Sequence, residues 1–395
     1  MLSGQHSSIS SRAIYLLCLV VFAGTMVYAN ACGLYSTHDS KFYLQAARMM
    51  QEEGRFGMFY SAVFSHWPPL YPFILSFFAQ LPALYTILHT SCLLLSFGLW
   101  LSMGRQILRK SYARNLYAAL LSLSTPWLLV SHFVWSEAVF ILLFSAYTYF
   151  LLRFMATEKS LFLVTATPFA FLLPWQRVAG VFVFMGVAAG VLLFFFPLFK
   201  KHWQKWVLHG LLSSSSFLSW FAYTTFILEG RSLREALGAA AIAASILQSV
   251  QEYLQIFSRW LVPEMVPDLF SFGLVVAFLL IPIFFIDRDT QRGRIMGFLW
   301  SMMLVYLFLY ISAPAISAEV GGIDETERFL SVIYPVFFLS LLFSVEQFSA
   351  SKKPKLKMAL LIFTVLWLLY PTTRFIKNAH FFHVRKCQQS AKFSH

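Results

Sequence analysis

Long apolar stretches alternate with short polar ones along the chain, and each apolar stretch approaches the thickness of a bilayer. The runs lie near residues 13–31, 83–104, 115–133, 136–154, 160–175, 178–199, 206–228, 269–286, 295–312, 328–346 and 358–371. About 20 apolar residues in helical form cross about 30 Å of hydrocarbon. Backbone groups in lipid have no water to bond, so each run is expected to be a helix. No run alternates apolar and polar positions as a barrel strand would. The pattern predicts an all-α, polytopic membrane protein of about eleven transmembrane helices, in a range of about 10–13. Residues 1–395 read as one transmembrane domain with no internal repeat. The first run ends in Ala29-Asn30-Ala31, as a signal peptide can. It is longer than the usual apolar core of such a peptide, so it reads as an uncleaved first span.

Composition agrees: 59% of residues are hydrophobic and 12% are charged, against about 25% charged in soluble domains. The net charge of +13 matters through its distribution. Bases cluster between spans at Arg105–Arg114, Lys200–Lys205, Arg288–Arg294 and Lys352–Lys357. This is the positive-inside signature and not a nucleic-acid surface. With the N-terminus inside, Glu158, Asp287, Asp289 and Glu346 are the acids that fall inside, and the others gather on the outer face. Acids do little to set topology, so their crowding there points to chemistry. The basic tail 372–395, with Arg374, Lys377, Arg385, Lys386 and Lys392, also falls outside in this count, against the rule.

Three outer segments are longer than turns. In residues 32–82, Asp39-Ser40 is expected to cap a helix over 40–53 that Gly54 ends. Residues 69–81 predict a short interfacial helix. The segment 229–267 predicts an interfacial helix over Arg231–Gln255, and 313–328 reads as polar and flexible.

The candidate chemistry sits on this outer face. Asp39 could act as a general base or serve only as a helix cap. In His66-Trp67-Pro68-Pro69 the two prolines stiffen the entry to the interfacial helix. His66 could bind a metal, a phosphate or a sugar, and Trp67 could stack on a sugar; a hydrogen-bonded histidine and a belt tryptophan are the plain readings. Glu137, in Trp135-Ser136-Glu137, is a carboxylate close to hydrocarbon, which usually has a partner or a function. Arg177 and Arg328 are outer-face cations suited to bidentate phosphate binding, or to snorkelling. The sequence fixes no cofactor; a divalent metal is a candidate at His66. The four cysteines, Cys18, Cys32, Cys92 and Cys387, are too scattered for a zinc site or a disulfide framework. Cys32 and Cys387 could pair only if the fold brings them together. No Gly-rich nucleotide loop, HExxH or GxSxG motif occurs.

Taken together, an acid in the first outer loop (Asp39), a tyrosine soon after (Tyr43) and Pro68-Pro69-Leu70-Tyr71-Pro72 resemble the membrane glycosyltransferases of the GT-C superfamily. Within it they are most similar to the protein-mannosyltransferase and aminoarabinose-transferase-like group (families 39 and 83). Ser136-Glu137, Arg177 and the run Glu327 to Pro335 fit that style, and the likeness is best over the first 200 residues. The resemblance implies a sugar donor linked to polyprenyl phosphate. The acceptor would be a lipid, glycan or protein on the non-cytoplasmic face of the plasma (inner) membrane. Asp39 would be the catalytic carboxylate, and Glu137 is a second catalytic candidate. Arg177 and Arg328 would hold the donor phosphate, and Tyr43, His66 and Trp67 would contact sugar, acceptor or metal. Many relatives carry an acid and a lysine where this chain has His66-Trp67. The competing reading is a multi-pass transporter or a lipid-linked glycan flippase or polymerase. Transporters, however, tend to hold charges at mid-membrane on broken, repeated helices.

Overall fold

A computed structural model describes residues 9–54, 67–78, 81, 83–227, 239–316, 323–350 and 354–392. The fold is all-α. Among the described residues there is no strand, only an isolated bridge between Tyr35 and Phe133. The chain runs through α1 (Ile9–Ala29), α2 (His38–Glu53), α3 (Leu70–Ser76), α4 (Ala83–Ile107), α5 (Ser111–Ser122) and α6 (Thr125–His132). It continues through α7 (Glu137–Thr157), α8 (Ser160–Gln176), α9 (Gly180–Phe194), α10 (Phe196–Lys201) and α11 (Trp203–Ala222). The last six helices are α12 (Ala239–Leu261), α13 (Asp268–Leu280), α14 (Gln291–Ile316), α15 (Ile323–Leu330), α16 (Tyr334–Ala350) and α17 (Pro354–Lys392).

Among the described residues, four helices are long and apolar enough to cross a membrane: Ser11–Ala29, Ala83–Ile107, Glu137–Thr157 and Gln291–Ala313. The other expected spans appear as shorter, interrupted or more polar helices. Run 115–133 is split into α5 and α6 because Pro126 lacks an N–H and Ser124 caps the new start by accepting from Trp127 N at 3.3 Å. Run 328–346 is split at residues 331–333, so Arg328 lies on the short helix α15 and not at the head of a span. The expected tail 372–395 is no separate segment as far as Lys392. It continues α17, a 39-residue helix that passes through Pro371. Over 228–238 and 317–322 the expected outer segments lie outside the described residues; from Ala239 on, the helix expected over Arg231–Gln255 falls within α12, which runs to Leu261.

Burial separates the layers. In the apolar window of α7, 78% of residues are buried, against 22% in α1. Thus α7 is a central post, and α1 shows Leu16, Leu17, Val20 and Val27 outward. Helix α9 lies close against α14 because Gly190 faces Phe298; a Cβ there would come within 2.6 Å of its ring. Small residues of this kind let membrane helices approach.

Helix α2 forms as its sequence predicts, with one change at its start. The N-cap is Thr37, not Asp39. Thr37 Oγ1 accepts from Ser40 N at 3.4 Å, while Ser40 Oγ accepts from Thr37 N at 3.0 Å, a closed capping box. Gly54, at φ 65°, ends the helix in the left-handed conformation that glycine adopts without strain.

Two segments far apart in the chain meet. Cys32, just after α1, is disulfide-bonded to Cys387 near the end of α17. The end of α17 therefore lies on the same face as the segment after α1. Cys18 and Cys92 are buried and free.

Candidate functional site

Four segments far apart in sequence deliver charged residues to one place. Asp39 lies in the first turn of α2, Glu137 begins α7, Arg177 follows α8, and Arg328 sits on α15. Two loops set this end of the bundle. Tyr35 N donates to His132 O at 2.8 Å and Val134 N to Tyr35 O at 3.0 Å, which joins the segment after α1 to the segment before α7. Trp135 Nε1 donates to Thr37 Oγ1 at 2.9 Å, and Ser40 Oγ donates to Val134 O at 2.9 Å. The start of α2 is thereby held beside Ser136 and Glu137. Because Thr37 does the capping, the Asp39 side chain is free to point elsewhere.

It points to Arg328, whose Nη2 donates to Asp39 Oδ2 at 2.7 Å. Arg328 Nε lies 3.4 Å from Glu137 Oε1, an ion pair without hydrogen-bond geometry. Arg177 Nη1 donates to the same Glu137 oxygen and, at 2.9 Å, to Ser136 Oγ. Gln176 Nε2 donates to Ser136 O at 2.8 Å. The cluster therefore holds two carboxylates and two guanidiniums, and these charges cancel. Glu137 is its buried centre at 1% side-chain exposure, while Asp39, at 21%, opens to the surface. Glu137 Oε2 is buried and has no hydrogen-bond partner among the described residues. Burial is the largest single influence on Arg177 and opposes its charge, but the Glu137 carboxylate together with Tyr310, Tyr43 and Tyr306 outweighs it, so the Arg177 pKa is raised.

Aromatic rings form the floor. The Arg328 guanidinium lies 4.6 Å from the Trp135 ring centre and 4.8 Å from that of Phe329, and Arg177 stands 5.1 Å from Phe329. Such stacking keeps an arginine fork planar and oriented. The next residue back from Arg328 is fixed too. Glu327 accepts from Arg374 Nη2 at 3.1 and 3.2 Å and from Trp260 Nε1 at 3.0 Å. Helices α12 and α17 thus clamp α15 from behind.

Tyr43 is buried beneath the cluster, its hydroxyl 3.5 Å from Ser136 Oγ. Trp67 is half-buried and packs on α2, 5.2 Å from Phe42 and 5.6 Å from Tyr43 between ring centres. Tyr43 also meets Tyr71, whose hydroxyl bonds His89 Nε2 at 2.7 Å. His66 lies outside the described residues. Among the described residues, no group of three or more His, Cys, Asp or Glu side chains could hold a metal ion.

Asp39, Glu137, Arg177 and Arg328, each singled out in the sequence, are thus brought into one cluster, with Tyr43 beneath it and Trp67 packed alongside. Sequence reasoning missed the Phe329 and Trp135 platform and the Glu327–Arg374 clamp. Phe329 is one of 44 phenylalanines, and Arg374 is 47 residues from its partner, so neither carries a local signal.

No protein-family model matches the chain, and no curated protein does. Two crystal structures of ArnT from Cupriavidus metallidurans share its fold. The apo structure gives a TM-score of 0.54 at 12% identity, covering 89% of this chain and 61% of the ArnT chain. The structure bound to undecaprenyl phosphate gives 0.55 at 12% identity, covering 94% and 70%. This chain therefore spans less than two thirds of the length of the apo ArnT chain it matches. At this identity the likeness is one of fold: the chain is an all-α membrane protein with the fold of these ArnT structures.

Proposed function

We propose that the protein is a membrane glycosyltransferase that moves a sugar from a polyprenyl-phosphate-linked donor to a lipid, glycan or protein acceptor on the non-cytoplasmic face. The observation that carries this reading is the convergence of Asp39, Glu137, Arg177 and Arg328 at one end of the bundle. The shared fold supports it, because one ArnT structure holds undecaprenyl phosphate. The Cys32–Cys387 disulfide supports the sidedness, because disulfides persist in oxidising compartments.

The residues divide the work by exposure. Asp39 is the carboxylate that an acceptor can reach. The acceptor oxygen or nitrogen attacks the anomeric carbon while its proton passes to Asp39. The bond from that carbon to the phosphate oxygen breaks, and polyprenyl phosphate leaves carrying the electron pair. Arg177 and Arg328 stabilise the negative charge of the leaving phosphate. Glu137, sealed from solvent, holds the two arginines in place. When donor phosphate takes the Arg328 fork, Asp39 loses its partner and becomes available for the acceptor. Tyr43 and Trp67 stiffen the start of α2, and His66 remains the candidate metal, phosphate or sugar contact. All of this is one unit of function within a single transmembrane domain.

Asp39→Asn tests the proposal. Thr37 does the capping, so helix α2 should survive the change. Loss of the proton acceptor should lower sugar transfer roughly 10²–10⁴-fold. The measurement is transfer by purified variant at matched amounts and unchanged thermal stability. Near-normal turnover would leave Asp39 as a counter-ion only and make Glu137 the next base to test.

A further inference from the structure

We propose that a second site, at the membrane face opposite the carboxylate–arginine cluster, binds an anionic glycerophospholipid of that leaflet. Helix α7 fixes the separation: it begins at Glu137 and ends against Glu158, 21 residues or about 30 Å later. From this far end, at Phe199 and Trp206, a cavity of about 310 Å³ extends between α7, α9 and α11 to Tyr147 midway along α7, within the size range of small-molecule sites. Val187, Val191 and Leu192 of α9 supply apolar wall. Leu192 is also exposed, beside the lipid-facing Leu193, Leu208 and Leu211, so the cavity opens sideways.

Its polar groups define the occupant. His209 is already satisfied. Thr167 Oγ1 donates to Leu163 O at 2.9 Å, so it accepts from His209 Nδ1 at 2.9 Å, and His209 Nε2 accepts from the Tyr147 hydroxyl at 3.1 Å. Trp206 Nε1 and Ser213 Oγ, by contrast, are buried at the cavity wall and have no hydrogen-bond partner among the described residues. An indole N–H only donates, so the occupant must bring an acceptor oxygen. A bare hydrocarbon chain brings none. Trp206 lies three residues into α11, about 5 Å below the start of that helix. At that depth the ester carbonyl of a glycerophospholipid meets the indole, with an acyl chain filling the apolar part.

The rim selects charge. Lys200, Lys201 and Lys205 stand where α10 meets α11, with Glu158 pairing Lys201 and His202. Lys205 reaches Ser160 Oγ at 2.7 Å, and Lys200 lies 4.7 Å from the Phe196 ring centre. Phe196 and Trp203 are exposed beside them, as interfacial aromatics are. Lysines at this level favour a phosphodiester that carries net negative charge. This lipid site stands whether or not the opposite face transfers sugar.

Native mass spectrometry of the detergent-purified protein, titrated with phosphatidylglycerol or phosphatidylcholine, tests it. The protein should retain one phosphatidylglycerol, held roughly tenfold more tightly than phosphatidylcholine. A Cβ at Gly210, a cavity-lining residue, would meet no atom within 4 Å, so Gly210→Leu fills open space. It should weaken retention at least about tenfold. Trp206→Phe keeps a ring and removes the donor, and should weaken it roughly fivefold; it carries the test if the first variant does not fold. Wild-type retention by folded Gly210→Leu, equal binding of the two lipids, or no retained phospholipid would each overturn the site.

Discussion

Glu137 offers one oxygen to two guanidiniums and hides the other from solvent. A buried pair of this kind contributes little beyond its desolvation cost, but losing one member leaves uncompensated charge behind. Glu137→Gln should therefore cost about 3–5 kcal/mol of stability, seen as a lower thermal unfolding midpoint. Asp39→Asn, at a partly exposed position, should cost about 1 kcal/mol or less. Equal midpoints for the two variants would contradict the buried-centre description of Glu137. The arginines separate charge from geometry. Lysine keeps the cation but loses the planar fork and its stacking on Trp135 and Phe329. Arg177→Lys and Arg328→Lys should each weaken donor binding by roughly tenfold or more. Full donor affinity in both would remove the phosphate-clamp role.

Among the elements, those built from local signals were the legible ones. Gly54 ends α2, and the long runs that became α1, α4, α7 and α14 show in the apolar pattern. What was illegible depended on partners distant in the chain. Thr37, not Asp39, caps α2, and Asp39 pairs instead with an arginine 289 residues away. The break at Ser124–Pro126 was readable in principle, since serine followed by proline is a helix-start signal. Apolarity across the break masked it. The chemical residues of the site were legible one at a time as outer-face charges, but their convergence needed the fold. The same holds for Cys32 and Cys387, 355 residues apart. Denatured, unreduced protein should take up thiol reagent at two cysteines, Cys18 and Cys92, and at four after reduction. Intact mass reports the number directly, and four labels before reduction would exclude the bond.

For the whole molecule, the charge bias and the disulfide point the same way. The basic end of α17 breaks the positive-inside pattern, and its bond to Cys32 keeps it on the face where α2 begins. Glu52→Cys should therefore react with an impermeant maleimide on intact cells, and Lys110→Cys only after permeabilisation; both positions are exposed. The reverse result would put the carboxylate–arginine cluster on the cytoplasmic face. The same disulfide imposes an order on biogenesis. Cys32 emerges early and its partner last, so at ribosomal speed it waits roughly 20–70 s as a thiol. The other two cysteines sit within α1 and α4 and are buried there, away from the oxidant. Premature pairing therefore has no partner to use. The covalent ring closes only on a chain that has been synthesised past Cys387, and its closure marks an insertion that has reached α17.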